Sequence, residues 1–431
     1  MNTTLPELIE IVPLSAPVEA RVTVPGSKSI TNRALILAAL AIGKTRLEGA
    51  LWSEDTQVMV DCLRQLGFGI EVLPDPGEES NRIIVVEGFG GKIPLSGTPE
   101  KPLELFVGNA GTAARFLAAF VCLGQGTFRL SGVPRMHQRP QAALFDALRQ
   151  LGCRVDSANN KIPAIIHASG PRPAECIVSI EESSQFASAL LLVADKARWR
   201  INIIGENADE SPYVSMTTAL ISQFPAAGGA FTIEPDASSA SYFWGADWLL
   251  RQNQSAPQSR ISVASWMQNS LQIDARFPGC INEFPPQISR LDELGDSIMT
   301  AIVLAPFANE VKTFTHLGRL RLQECERVEA LRTELGKCGA QVEERGDTLR
   351  IHPGNLRGAE IETYNDHRMA MCFATLALKV PGIKIKNPAC VRKTFPNFFE
   401  KLAMPAPHGL GATIIDSASR LPLRPEQLRA H

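Results

Sequence analysis

One pattern recurs along this 431-residue chain and limits what it can fold into. "DCLRQLGFGIEV" begins at Asp61, "DALRQLGCRV" at Asp146 and "LRTELGKCGAQVEE" at Leu331. In each, apolar residues return at helical spacing, a Gly follows, and the alternation then becomes that of a strand. A Gly at that point supplies the left-handed residue that ends a helix. Strand patterns follow in "RIIVVEG" from Arg82 and "TLRIHP" from Thr348. Fainter units fall near Ala219, Gln268 and Phe398. At roughly 65 to 75 residues each, the chain holds about six. The pattern predicts an α/β protein built of repeated helix-strand units and divided into two lobes.

Several of the helices, such as "RALILAALAIG" and "ARFLAAFVCLG", are so free of charge that they should be buried on nearly all sides. With 43 basic against 45 acidic residues, a formal charge of -2 leaves no global field for nucleic acid or an anionic membrane. Any positive site must be local. Nine cysteines without a CxxC pair sit in apolar segments, among them Cys122 and Cys372. They read as reduced thiols in a cytoplasmic protein rather than as disulfides or a zinc site. The opening "MNTTLPELIEIVPL" has no secretory pattern, and no apolar run of about 20 residues predicts a membrane span. "RQNQSAPQSR" reads as a surface loop, and the aperiodic end after Met404 as a mobile tail.

"VPGSKSITNRAL", residues 24–35, sets Lys28, Ser29 and Arg33 on a Gly-led turn with no acidic neighbour. Such a turn into a helix offers unpaired N–H groups and a positive dipole end, hence an anion site. It lacks the first glycine and the spacing of a Walker loop, and an ordinary helix start with solvated cations is the competing reading. "VGNAGTAARFLAAF" repeats the grammar, with Asn109, Gly111 and Thr112 at the turn and Arg115 in the first helical turns. "RMHQRPQAALFDAL" puts Arg139 before a Pro suited to the first helical position. "ESSQFASALLL" brings Ser183, Ser184 and Gln185 ahead of an apolar helix, where an N-cap accounts for one serine but not the trio. In "EPDASSASYFWGADWLL", Asp236 and Ser238 read as plain caps.

Asp296 precedes an apolar run through Phe307, either as an N-cap or as a carboxylate held for general-base work. Arg321, Glu324 and Arg327 fall at three-residue spacing, hence on one helical face, with an exposed ion-pair ladder as the plainer reading. "YNDHRMAMCFATLAL" places Asp366, His367 and Arg368 before another uncharged helix, and "NPACVRKTFPNFFEKL" holds Arg392 and Lys393 in a Pro-bounded turn. At least five helix starts thus carry cations or hydroxyls into apolar helices. Aligned toward one cleft, they would create a positive field for small, highly anionic substrates, with Asp296 and Glu324 as its carboxylates.

The motifs PGSKSITNRAL, GNAGTAARF, RMHQRP, SSQFASALL, DASSASYF, YNDHRMAM and KTFP, in this order between about Val12 and Leu402, resemble those of the 5-enolpyruvylshikimate-3-phosphate synthases. The resemblance implies the two-lobed enolpyruvyl transferase fold, six βαβαββ repeats with three in each lobe and an interdomain cleft. Residues 1–24 and 242–405 would form the lower lobe, 25–241 the upper lobe and 406–431 the mobile tail, with crossings near Val24 and Tyr242. The cleft would close on shikimate 3-phosphate and exclude water. The implied reaction moves a carboxyvinyl group from phosphoenolpyruvate to the 5-hydroxyl of shikimate 3-phosphate through a tetrahedral phospho-ketal that eliminates phosphate. No metal or organic cofactor, nucleic acid or membrane is implied, and a monomer is expected.

By position, Lys28, Ser29, Arg33, Ser183, Ser184, Gln185, Ser211, Asp296, Arg319 and Gln323 would meet shikimate 3-phosphate. Lys28, Gly111, Arg139, Gln185, Arg327, Arg368 and Lys393 would meet phosphoenolpyruvate. The resemblance makes Asp296 the base, Glu324 the acid and Lys28 a catalytic bridge between the substrates. Four departures stand out. Gln323 replaces a Lys of the pattern R-x-K-E-x-x-R, and Arg319 replaces a common Asn and could restore that charge. In "ADESPYVSM", Glu210 stands two residues before Pro212, leaving Ser211 to serve the phosphate. Phe116 replaces a Pro and would alter how phosphoenolpyruvate-like inhibitors such as glyphosate fit beside Gly111. Two alternatives remain: a UDP-N-acetylglucosamine enolpyruvyl transferase, whose reactive Cys has no clear equivalent, and a non-catalytic relative that binds anionic metabolites.

Overall fold

The structure, a computed structural model, describes residues 5–205, 212–251 and 258–430. The recurring motif folds as its glycines dictate. Gly67, Gly152 and Gly339 sit at φ of 92°, 82° and 88°, just after the helices Glu54–Gln65, Ala142–Gln150 and Arg327–Lys337. In each case the next N–H reaches five residues back: Phe68 to Leu63 at 3.1 Å, Cys153 to Leu148 at 2.9 Å and Ala340 to Leu335 at 3.0 Å. This Schellman closure ends the helix and turns the chain into a strand. An antiparallel hairpin follows each time: Ile70–Pro74 with Asn81–Phe89, Arg154–Asp156 with Ala164–Ser169, and Val342–Arg345 with Thr348–Ile351.

The chain forms two compact units, one from Gly26 to Glu234 and the other joining the segment up to Pro25 with the chain from Pro235 onward. The return crossing therefore precedes Tyr242, which is buried within the helix Ala237–Leu250, where a chain cannot change lobes. Among the described residues each unit holds three sheets. In the first, Gly229–Thr232, Ile42–Leu51, Asn81–Phe89 and Ile70–Pro74 lie in that order, as do Leu103–Phe106, Gln125–Ser131, Ala164–Ser169 and Arg154–Asp156. In the second, the orders are Gln287–Ser289, Lys312–Thr315, Thr348–Ile351, Val342–Arg345, and Glu360–Ile361, Lys384–Lys386, Leu8–Ile11, Ile414–Asp416.

The third sheet of each unit is a bare parallel pair: Ala174–Ser179 with Trp199–Ile204, and Glu19–Val22 with Arg260–Val263. Both shortened repeats share one local cause. The helices Pro212–Gln223 and Phe277–Glu283 end not at a Gly but at Phe224-Pro225 and at Phe284-Pro285-Pro286. Proline cannot continue the helix, and at the second one the residue before it, Phe284, closes the helix left-handed at φ 39°, so the chain goes on to a strand of the next sheet. Those strands are Gly229–Thr232 and Gln287–Ser289. Gln268, where a faint unit was expected, lies in a turn ahead of that second helix.

Three helices pack together inside each unit: Lys28–Leu40, Gly111–Phe120 and Gln185–Ala197 in one, Ala237–Leu250, Ile298–Leu304 and His367–Ala377 in the other. Their middles are apolar because they meet little water, and in Gln185–Ala197 the charges Asp195 and Lys196 come only in the exposed last turn. The end of the chain is not the mobile tail that its aperiodic sequence predicts. Ile414–Asp416 pairs with Leu8–Ile11, Ala430 N donates to Pro396 O at 2.9 Å, and Leu410 and Leu428 are buried. A segment that lays single residues on an existing sheet edge needs no periodicity of its own. The loop expected at Arg251–Arg260 falls largely outside the described residues, within which no helix is long and apolar enough to cross a membrane.

Candidate functional site

In the unit Gly26–Glu234 the Lys28 turn is set by close backbone approach. A Cβ on Gly26 would lie 1.9 Å from Gly49 O, and Gly26 N donates to Asn81 Oδ1 at 2.8 Å. This delivers Lys28 to the helix start, where its Nζ meets Asp55 Oδ2 at 3.1 Å. Lys28 thus has an acidic partner that its own stretch of sequence does not show. The ammonium keeps further N–H donors for a ligand beside it. Ser29 is half-buried at the same turn, and its carbonyl accepts from Arg33 Nη1 at 2.9 Å.

Arg33, expected at shikimate 3-phosphate, is held by buried partners of its own unit. It is 1% exposed, Nε donates to Thr217 Oγ1 at 2.7 Å, Nη2 donates to Ser188 Oγ at 3.0 Å, and its carbon centre stands 5.2 Å from the Phe116 ring. Position 33 lies more than a turn into a helix buried on every side, so its side chain packs beneath the turn. Burial lowers its guanidinium to about 10. Phe116 is itself fully buried, so this departure shapes the seat of Arg33 rather than open space beside Gly111.

At the second turn, Gly111 is a matter of room. A Cβ there would lie 2.5 Å from Arg115 Nη1 and 2.7 Å from Arg139 Nη2. Arg139 Nη1 donates to Asn109 O at 3.1 Å, while its Nε has no hydrogen-bond partner. Only 8% of this residue is exposed, and no carboxylate among the described residues pairs with it. Arg115, outside the set that the resemblance transfers, donates to Gln185 Oε1 and to Pro140 O, both at 3.0 Å. With Gln185 Nε2 3.4 Å from Thr112 Oγ1, two helix starts are locked side by side. Ser183 Oγ accepts from Gln185 N at 3.3 Å, whereas Ser184 precedes the helix without a capping bond. Ser211 and Glu210 lie outside the described residues.

The other unit gathers the carboxylates. Asp296 is not the N-cap of Ile298–Leu304, a position taken by Ser297. Its Oδ1 accepts from Arg290 Nη2 at 2.7 Å and from Gln323 Nε2 at 3.4 Å, and its Oδ2 faces Arg368 Nη2 at 3.2 Å and Arg327 Nη1 at 3.9 Å. Burial alone would raise this carboxyl, but Arg368, Arg290 and Arg327 outweigh it and hold Asp296 well below the usual carboxylate range. Buried Asp274 fixes the backbone on both sides, accepting from Gly295 N at 2.7 Å and Ser297 N at 3.1 Å.

Glu324 meets Arg327 Nη2 at 2.8 Å and Lys393 Nζ at 3.3 Å. Arg327 also forks onto Asp366, at 2.7 and 3.2 Å, and donates to Gln323 Oε1. Asp366 caps His367–Ala377 through Arg368 N at 2.8 Å, so one carboxylate places both arginines. Arg321, Glu324 and Arg327 do not share a helical face. The helix begins at Arg327, Arg321 stands on the turn Gly318–Leu322 and binds Glu326 and Glu344, and Glu324 lies between. Arg319 sits half-buried on that turn, and the extra cation at Asp296 is Arg290. Asp236 accepts from Ser239 N as a plain cap, while Ser238 bonds Asp274 instead.

The cations and hydroxyls at Lys28, Gly111 and Ser183 thus fall in one unit, and the carboxylates with Arg327, Arg368 and Lys393 in the other. Sequence reasoning missed Asp55, Arg290 and Asp274, which belong to no motif.

Comparison with known proteins bears on this arrangement. Residues 12–402 match the family model for EPSP synthase (3-phosphoshikimate 1-carboxyvinyltransferase). A 3-phosphoshikimate 1-carboxyvinyltransferase of Nostoc punctiforme is 37% identical over 92% of this chain and 98% of its own. That of Vibrio vulnificus is 38% identical over 90% of this chain and 96% of its own. A solved EPSP synthase structure from Acinetobacter baumannii superposes with a TM-score of 0.73 at 19% identity, covering 94% of this chain and 99% of the other. The chain belongs to the EPSP synthase family, and its fold is the two-lobed α/β architecture of those enzymes.

Proposed function

We propose that the protein transfers the carboxyvinyl group of phosphoenolpyruvate to the 5-hydroxyl of shikimate 3-phosphate and releases phosphate. One observation carries this reading beyond family membership: two carboxylates, Asp296 and Glu324, stand on opposite sides of Arg327, with Arg368 and Lys393 completing a cationic surround. Asp296, held ionised, accepts the hydroxyl proton as the oxygen bonds to C2 of phosphoenolpyruvate, and Glu324 delivers a proton to C3. The tetrahedral adduct then loses phosphate, which takes up the proton held on Asp296, and the methyl carbon returns a proton to Glu324 as the enol ether forms. The resemblance assigns Arg327, Arg368 and Lys393 of one unit, and Gly111 and Arg139 of the other, to phosphoenolpyruvate, and Lys28, Ser29, Arg33, Ser183, Ser184 and Gln185 to shikimate 3-phosphate. Lys28 touches both, and Arg33 supports Ser29 from beneath. Ser211, Arg319 and Gln323 complete the shikimate 3-phosphate set.

Arg327 and Lys393, which stand 2.8 and 3.3 Å from Glu324, both belong to the proposed phosphoenolpyruvate set, so the bound anion competes with Glu324 for them. The protein is proposed to act as a cytoplasmic monomer, consistent with nine free cysteines. The test is phosphate release by purified protein with phosphoenolpyruvate and either shikimate 3-phosphate or UDP-N-acetylglucosamine. Release with the first acceptor alone supports the reading. Release with the second, or binding without release, replaces it.

A further inference from the structure

Asp296 is surrounded by three guanidinium groups, and they are not equivalent. Arg327 is divided among Asp296, Glu324 and Asp366, and Arg368 also reaches Tyr242 Oη at 3.4 Å. Under the proposed reaction, both are claimed by the phosphoenolpyruvate anion. Arg290 differs. Its side chain is 6% exposed, its 2.7 Å contact is with Asp296, and no other carboxylate among the described residues pairs with it. Its backbone is held by the bond from Arg290 N to Thr315 O at 3.1 Å, next to the strand Gln287–Ser289. Asp274 holds the far end of the same loop at Gly295 and Ser297. Arg290 and Asp296 are therefore fixed from both ends of a short loop and face one another within it.

We propose that Arg290 is the dedicated counter-ion of Asp296, a positioning residue that keeps the base oriented and ionised while bound phosphoenolpyruvate occupies Arg327 and Arg368. The inference rests on the reaction proposed above. Gln323 gives it a sharp test, because its Nε2 lies 3.4 Å from the same Asp296 oxygen that Arg290 holds. A Lys at 323 would bring a cation to that oxygen from a different element. The remaining charges around the base are Arg327 and Arg368 in direct contact, with Glu324, Asp366 and Lys393 one step beyond and Asp236 and Asp274 acting on Arg368. The exchange leaves Arg368, Glu324, Asp366 and Lys393 in place, but a Lys at 323 takes from Arg327 its Gln323 Oε1 acceptor, so Gln323→Lys alone is measured as the control.

The experiment compares wild type, Arg290→Met, Arg290→Lys, Gln323→Lys and the double variant Arg290→Met/Gln323→Lys, with both substrates varied and the pH profile followed. Wild-type turnover, measured alongside, tests the reaction itself. A wild type that releases no phosphate refutes that reading, and with it any role for Arg290 in it. With turnover present, Arg290→Met should lower kcat about 10- to 100-fold with little change in the phosphoenolpyruvate KM. It should also raise the acid limb of the profile toward the ordinary carboxylate range, below which Asp296 is held in the wild type. Arg290→Lys and the double variant should each recover about tenfold in kcat and bring the limb back. The proposal is overturned by an Arg290→Met enzyme with unchanged kcat and acid limb. It is equally overturned by a slow variant whose limb has not moved and that neither lysine rescues, the pattern of a merely structural residue.

Discussion

Replacing Arg139 by Met separates a cation kept for a ligand from one that holds the fold. In the unliganded protein this guanidinium is 92% buried, with one hydrogen bond to Asn109 O at 3.1 Å and no carboxylate among the described residues. Met has nearly the same length and no charge. Losing the single hydrogen bond costs about 1 kcal/mol, while removing an unpaired buried charge acts in the opposite sense. The net change in stability should fall within about 1 kcal/mol of zero. Binding is another matter, because truncating one partner of a buried, hydrogen-bonded charge pair costs about 2 to 5 kcal/mol. At 1.4 kcal/mol for each factor of ten, the phosphoenolpyruvate KM should rise about thirty-fold to several thousand-fold. Urea unfolding without ligand and phosphate release at saturating shikimate 3-phosphate read the two quantities independently. A KM within twofold of wild type, or a stability loss above about 3 kcal/mol, would falsify the assignment of Arg139 as an anion receptor.

Arg327 is the opposite case: its removal leaves Asp366, which has no exposed surface, without its partner, so Arg327→Met should lose about 3 to 5 kcal/mol in urea unfolding. A loss below about 1 kcal/mol would show that the fork onto Asp366 does not hold the unit together. Lys28→Ala should abolish turnover while leaving a cooperative unfolding transition, and near-normal turnover contradicts its role. Asp296 is held below the usual carboxylate range, so its pairing stabilises fully above about pH 4 and is lost only as pH falls from there toward its folded value. The gap in urea midpoint between wild type and Asp296→Asn should therefore stay constant from about pH 6 to about pH 4 and begin to narrow only below it, and a gap already closed above about pH 4 argues against the ion pairs.

What the sequence by itself determined is local: how helices begin and end, and which residue types stand at their mouths. The glycines at 67, 152 and 339 announced their closures because a left-handed residue is a property of one position. Phe224-Pro225 and Phe284-Pro285-Pro286 carry the same kind of signal for the two shortened repeats, though it becomes readable only once the missing hairpins are seen. Lys28 was legible as a cation without an acidic neighbour, Arg139 as a cation at a helix start, and Asp296 and Glu324 as the carboxylates of a positive field. Their partners were not. Lys28 meets Asp55 across two helices, and Arg327 forks onto Asp366, which is 39 positions away. Arg33 shares a motif with no acid, and only tertiary packing shows its guanidinium seated among Thr217, Ser188 and Phe116. Arg290, only six positions from Asp296, left no mark because a loop has no period from which facing side chains can be inferred. Helical spacing fixes neighbours within a turn or two, whereas pairing across elements depends on burial and packing that only the folded chain supplies.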